Sequence, residues 1–154
     1  MSEPLILIPA RIASTRLPGK PLADIHGAPM IVHVWRRAME AGAGRVAVAA
    51  AEPEIADAVT KAGGESVLTK PDHPSGSDRI FEAALKLDPE GRHDIIVNLQ
   101  GDLPTLNPAL ITAVLQPLAT PLVDIATLAT PIKVEAERTN PNVTKAIIAF
   151  GQEH

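Results

Sequence analysis

Residues Leu5-Ile6-Leu7-Ile8 form an unbroken apolar run, and the chain leaves it directly into Pro9-Ala10-Arg11-Ile12-Ala13-Ser14-Thr15-Arg16-Leu17-Pro18-Gly19-Lys20-Pro21-Leu22. A short run of β-favouring residues without polar alternation predicts a strand of the kind found in parallel sheets covered by helices on both faces. The loop after it holds three cations, two hydroxyl side chains and a Pro-Gly break. No acidic residue stands between Glu3 and Asp24, so Arg11, Arg16 and Lys20 give a local charge of +3 in a chain of formal net charge -4. A cationic loop at the carboxyl end of a strand suits a small, highly charged anion.

The length of 154 residues suffices for one domain that buries roughly two-thirds of its unfolded surface, and 45% hydrophobic residues supply a core. Aromatic residues make up only 2%, so that core is Ala, Val, Ile and Leu. The same scarcity removes the stacking platforms of a single-stranded nucleic-acid binder, and the acidic pI near 5.7 argues against nucleic acid as a partner. With no cysteine there is no disulfide framework, thiolate metal site or Cys nucleophile. No apolar run approaches the ~20 residues of a membrane span and no signal peptide is recognised, so the expectation is a cytoplasmic protein without a membrane partner.

Strand and helix patterns then alternate. After a loop closed by a turn at His26-Gly27, a helix is expected from about Pro29 to Ala41, with Ile31, Val34, Trp35, Ala38 and Met39 on one face. Arg45 to Ala51 predicts a strand, Pro53 to Ala62 a helix ending at Gly63-Gly64, and Ser66 to Thr69 a third strand. The polar stretch from Thr69 to Gly76 is too rich in Pro and Gly to be regular. A helix from Gly76 to Leu87 follows, with Ser75 as N-cap and Ile80, Phe81, Ala84 and Leu85 as its buried face. Asp94 to Leu99 predicts a fourth strand, central because it is apolar on both faces. Asn107-Pro108 starts a helix stopped at Gln116 by Pro117. Asp124 to Pro131 and Val143 to Phe150 predict further strands. This order implies one domain over 1–154, a three-layer α/β/α sandwich with right-handed crossovers and ligand sites at the carboxyl ends of the strands. Neither a G-x-G-x-x-G nor a P-loop pattern occurs.

Three stretches carry chemistry. In the first loop, Arg grips phosphate oxygens in a fixed fork while Lys is a mobile point charge, although three scattered cations also occur in plain solvated loops. Asn98-Leu99-Gln100-Gly101-Asp102-Leu103-Pro104 leaves the fourth strand at its carboxyl end, where Gly101 permits a sharp turn beside a carboxylate. Asp102 there can hold Mg²⁺, which takes one or two protein carboxylates and completes its shell with water and phosphate; a simple Asx turn is the competing reading. Asp72-His73-Pro74-Ser75-Gly76-Ser77-Asp78-Arg79 opens a helix whose free N–H groups could meet an anion or a base, or be merely capped. His73, alone in its loop, is given no metal role.

Pro9-Ala10-Arg11, Ser14 and Arg16-Leu17-Pro18-Gly19-Lys20-Pro21-Leu22 together resemble the opening of the 3-deoxy-manno-octulosonate cytidylyltransferases (CMP-Kdo synthetases), within the sugar nucleotidyltransferases. The segment around Gln100-Gly101-Asp102 is similar to that family's Gln-Gly-Asp-Glu-Pro, with Leu103 in place of Glu. The segment from His73 is similar to its His-x-Ser-Gly-Thr-Asp-Arg, with Ser77 in place of Thr, and Asn140-Pro141-Asn142-Val143 followed by Lys145 also matches. Where the family commonly has Thr-Asp after the second strand, this chain has Ala50-Ala51-Glu52, so a polar group at the nucleotide edge is missing. The resemblance implies a nucleotide-diphospho-sugar transferase-like fold with a mostly parallel, mixed-edge sheet. It also implies transfer of CMP from CTP to Kdo, with release of pyrophosphate, for lipopolysaccharide assembly. Arg11, Lys20 and Asp102 would be catalytic, with Mg²⁺ on Asp102. Pro9, Ala10, Arg11, Ser14, Arg16, Lys20, Ser75, Ser77 and Gln100 would bind the nucleotide, and Arg79 and Gln100 the sugar. The family's proteins are homodimers and longer, their C-terminal portion supplying a second metal carboxylate and much of the dimer contact. Competing readings are an acylneuraminate cytidylyltransferase, a non-catalytic nucleotide-binding module and a structural α/β domain. The spelling Pro18-Gly19-Lys20-Pro21-Leu22 favours Kdo.

Overall fold

A computed structural model describes residues 3–13 and 19–147. Strand β1 (Leu5–Ala10) lies inside a four-stranded parallel sheet, paired with β4 (Arg45–Ala50) from Leu5↔Arg45 to Ala10↔Ala50 and with β6 (Ile96–Asn98) from Leu5↔Ile96. Beyond β4 lies β5 (Glu65–Leu68), so the order is β5-β4-β1-β6. Alternate residues of the strands face opposite layers. Ile6, Ile8, Ala10, Val46, Val48 and Ala50 pack with Ile31, Val34 and Ala38 of α1 (Met30–Glu40) and with Ile55 and Val59 of α2 (Pro53–Lys61). On the other side Leu5, Leu7, Ala47 and Ala49 meet Ile80 and Ala83 of α3 (Gly76–Leu87). This is the expected three-layer α/β/α arrangement. Leu5 to Ile8 have no exposed surface, and full burial of such a side chain contributes about 1.5–3 kcal/mol, so β1 anchors both halves of the core.

The turn at His26-Gly27 joins β2 (Asp24–Ile25) to β3 (Ala28–Pro29). Positive φ at both residues, 49° and 85°, is the backbone of a type I′ hairpin, and glycine meets it without steric strain. Helix α4 (Ala109–Leu115) starts at the Asn107 side chain, whose Oδ1 accepts the Ala109 N–H at 3.1 Å, and buries Ile111. At Gln116–Ala119 it gives way to a 3-10 turn carrying Pro117.

Several expectations need correction. Among the described residues β6 stands at an edge of the sheet, not at its centre, and Ile96 is 41% exposed: a continuous apolar run does not by itself fix a strand's place in the sheet. Phe81 and Leu85 of α3 point away from the sheet, 68% and 57% exposed, and Met39 of α1 is also exposed. The buried stripe of α3 runs instead through Arg79, Ile80 and Ala83. Asp124 to Pro131 is not a strand; its alternation lacks a partner ladder among the described residues, and Ile125 is exposed. Residues 143–147 are irregular, and the rest of the strand expected to Phe150 lies outside the described residues.

The contacts within the chain gather in two compact units, Met1–Ala113 and Val114–His154. The second unit carries α5 (Glu135–Thr139), with an Arg138–Glu135 ion pair at 3.0 Å, and a turn in which Asn140 Oδ1 accepts the Asn142 N–H.

Candidate functional site

The carboxyl ends of β1, β4, β5 and β6 come together in the first unit. Pro9 and Ala10 close β1, and the Ala10 carbonyl accepts the Ala51 N–H at 2.9 Å. Against Pro9 sit two glycines from other elements. A Cβ on Gly101 would lie 2.6 Å from the Pro9 carbonyl oxygen, and one on Gly76 would lie 3.4 Å from Pro9 Cγ. Only a residue without a side chain lets the loop after β6 approach β1 so closely, and that approach delivers Asp102 beside the basic loop. Lys20 reaches it from a single 3-10 turn, Lys20–Leu22, that follows Gly19 at φ 74°. Lys20 Nζ lies 2.9 Å from Asp102 Oδ2, the two side chains being 37% and 53% exposed.

Two hydrogen bonds fix the basic loop at Ile12 and Gly19. Glu52 Oε2 accepts the Ile12 N–H at 2.9 Å, and the Gly19 N–H donates to the Ile12 carbonyl at 3.1 Å. Arg11, the residue before Ile12, is exposed. Ser14 and Arg16 lie outside the described residues. Glu52 therefore brings a carboxylate where the sequence suggests that a polar group is missing, and it does so from the residue just before α2.

Across Pro9, α3 organises the loop Thr69–Ser75. Arg79 is 2% exposed and donates to Thr69 Oγ1, to the Lys70 carbonyl at 2.9 Å and to the Pro71 carbonyl at 3.2 Å. Burial pulls its guanidinium below the ordinary value, while the charge of Glu52 works the other way and that of Arg11 adds to the fall. Its guanidinium is thus engaged with the Thr69 hydroxyl and two carbonyls of the loop. One turn later, Glu82 Oε2 accepts the Lys70 N–H at 3.0 Å and contacts His73 Nε2, and Oε1 pairs with Lys86 at 2.7 Å. Hydrogen bonds from Lys86, His73 and the Lys70 amide hold the Glu82 carboxyl down at about 2. Ser75 caps α3: its Oγ accepts the Asp78 N–H at 3.2 Å. Ser77 and Gln100 are exposed, and Gln100 Nε2 donates to Asn98 Oδ1 at 3.1 Å.

The structure thus brings Pro9, Ala10, Arg11, Lys20, Gln100 and Asp102 to one end of the sheet, with Ser75, Ser77 and Arg79 at the neighbouring start of α3. Glu52 and Glu82 are additions that sequence reasoning missed. Neither belongs to a periodic pattern, and Glu82 reads in sequence as part of a solvated helix face. A separate groove of about 500 Å³ lies between the β2–β3 hairpin, α1 and α2, lined among others by Val32, Arg36, Glu54, Asp57 and Lys61. None of the candidate catalytic, nucleotide-binding, sugar-binding or metal-binding residues lines it. Among the described residues no helix is long and apolar enough to cross a membrane.

Residues 5–149 match the family model described as cytidylyltransferase. A 3-deoxy-manno-octulosonate cytidylyltransferase of Parvibaculum lavamentivorans is 68% identical over 150 residues, 97% of this chain and 58% of that protein. One from Paramagnetospirillum magneticum is 66% identical over 147 residues, 96% of this chain and 60% of the relative. Among solved structures, a CMP:2-keto-3-deoxy-manno-octonic acid synthetase complexed with CTP superposes with a TM-score of 0.72 at 44% identity, covering 79% of this chain and 50% of that one. The chain thus spans well under two-thirds of the length of these relatives.

Proposed function

This chain belongs to the cytidylyltransferase family, and from that membership we propose that it carries the nucleotide-binding part of a CTP:Kdo cytidylyltransferase. The observation that carries the reading is the convergence of Arg11, Lys20 and Asp102 at the carboxyl ends of β1 and β6, with Lys20 Nζ 2.9 Å from the Asp102 carboxylate. In the proposed reaction the anomeric hydroxyl of Kdo attacks the α-phosphorus of CTP. A new O–P bond forms, the bond to the β-phosphate oxygen breaks, pyrophosphate leaves and the hydroxyl proton passes to solvent.

The chain's own residues act by position and charge. Arg11 offers a rigid fork to phosphate oxygens and Lys20 a mobile point charge, together offsetting the negative charge that builds on the leaving pyrophosphate. Arg16 joins this set in the proposal. Glu52 and the Gly19–Ile12 hydrogen bond fix the ends of the loop that bears these cations, so they need little rearrangement as the phosphates arrive. Gln100 sits beside Asp102, exposed toward either substrate. Asp102, one half-exposed carboxylate, fits Mg²⁺, which takes one or two protein carboxylates and fills the rest of its shell with water and phosphate. Bound there, the ion would supply further charge neutralisation at the phosphates. Among the described residues no group of three or more His, Cys, Asp or Glu gathers as a closed metal cage.

Kdo rather than an acylneuraminate is the acceptor favoured by the Pro18-Gly19-Lys20-Pro21-Leu22 spelling and by the names of the relatives. Use of the product in lipopolysaccharide assembly, a cytoplasmic setting and a homodimer belong to the same proposal. The test is pyrophosphate release with CTP, Mg²⁺ and either Kdo or N-acetylneuraminate. Release with Kdo alone, reduced about 10²-fold or more by Asp102→Ala, is the expected result. Release with N-acetylneuraminate instead would overturn the choice of acceptor. Binding of CTP with no release from either sugar would reduce the function of this chain to nucleotide binding.

A further inference from the structure

Resting on that reading, we infer that Glu82 is a positioning residue of the nucleotide site, holding the loop Thr69–Ser75 in the shape that receives the base and ribose end of CTP. The argument begins with the direction in which a nucleotide can lie. Arg11 and Lys20 attract the triphosphate to the mouth formed by β1 and β6. The opposite side of Pro9 is occupied by Gly76 and the loop that precedes it. Apart from the opposed charges of Lys70 and Asp72, that loop offers backbone groups, its Thr69 and Ser75 hydroxyls being held within the protein, and backbone groups suit an uncharged base and sugar rather than phosphate.

A loop with Pro71 and Pro74 and no regular hydrogen bonding does not hold such a shape alone. Two side chains of α3, three residues apart on one side of the helix, hold it. Arg79 takes the carbonyls of Lys70 and Pro71. Glu82 takes the opposite polarity, accepting the Lys70 N–H while touching the His73 ring, so that residue 70 is gripped at both its carbonyl and its amide. Glu82 is in turn oriented by Lys86 at 2.7 Å. The Glu82 side chain is only 18% exposed and its oxygens are occupied by these partners, so its place is behind the loop rather than against a ligand. Replacing it would leave the basic loop untouched, because that loop is fixed from Glu52 and Gly19.

The separation of the two loops provides the test. Glu82→Ala and Glu82→Gln are compared with the unaltered chain by calorimetric titration with CTP and with inorganic tripolyphosphate, both with Mg²⁺, alongside amide hydrogen exchange at Lys70. The inference predicts that Glu82→Ala weakens CTP about tenfold, as expected for loss of a hydrogen bond to a charged group, and leaves tripolyphosphate within about twofold. The Lys70 amide should exchange faster in that variant. Glu82→Gln, whose amide oxygen can still accept the Lys70 N–H, should recover most of the affinity. Unchanged CTP binding in Glu82→Ala, or an equal loss of both ligands, would overturn the inference. Failure of the unaltered chain to bind CTP would overturn the proposed function and this inference with it, and is told apart because no substitution is involved.

Discussion

The two sides of the candidate site use charge in opposite ways. On the α3 side, Arg79 is almost completely buried and Glu82 largely so, and both are bound to the backbone of the neighbouring loop. On the β1–β6 side, Arg11, Lys20 and Asp102 are open to water, and the Lys20–Asp102 pair joins side chains that are 37% and 53% exposed. A buried charge must be hydrogen-bonded to persist, so it fixes structure. An exposed pair contributes little to stability and can exchange its partner for a ligand at small cost. The difference separates residues that shape the site from residues free to act in it.

Substitutions can break this contrast. The largest effect is expected on the open side: Asp102→Ala or Lys20→Ala should lower the rate of pyrophosphate release about 10²-fold or more while changing unfolding free energy by less than about 1 kcal/mol. A large loss of stability in either would contradict the division. Next, Arg79→Met should lower stability by about 2–4 kcal/mol in denaturant titration, since it removes the donor to two loop carbonyls and to the Thr69 hydroxyl. A smaller effect belongs to Glu82 and has a definite pH signature. Its carboxyl titrates at about 2 in the folded chain against an ordinary 4.5, so the stability it contributes is fully present above pH 4.5 and is lost as pH falls toward 2. The melting-temperature difference between Glu82→Gln and the unaltered chain should therefore shrink as pH falls below 4.5. Smallest of all, breaking the Arg45–Glu65 pair, partly exposed at the edge of the sheet, should cost about 0.5–1 kcal/mol.

Much of the first unit is legible in sequence because its signals are local. The Leu5–Ile8 run, the Val/Ala alternation of β4, the glycine after α1 and the Ser75 cap each follow from a few consecutive residues. What escapes is what depends on the third dimension. The edge position of β6 follows from which strands pair, and the exposure of Phe81 and Leu85 follows from the side of α3, that of Ile80 and Ala83, which meets Ala47 and Ala49. Asp124 to Pro131 has the spacing of a strand, yet alternation makes a strand only where a neighbour completes the ladder. In the site, the Glu52–Ile12 and Glu82–Lys70 bonds join residues 40 and 12 positions apart, beyond any motif. The three stretches with chemical character were visible; the carboxylates that hold two of them in place were not.

The proposed function places nucleotide at the carboxyl ends of β1 and β6 rather than in the groove between α1 and α2. Amide chemical-shift mapping of the labelled chain during titration with CTP and Mg²⁺ tests it most directly. The largest changes are expected on Ala10 to Ile12, Lys20, Lys70 to Gly76 and Gln100 to Asp102, with little change at Val32, Arg36, Asp57 and Lys61. Shifts concentrated on the latter group, with the first group silent, would contradict it.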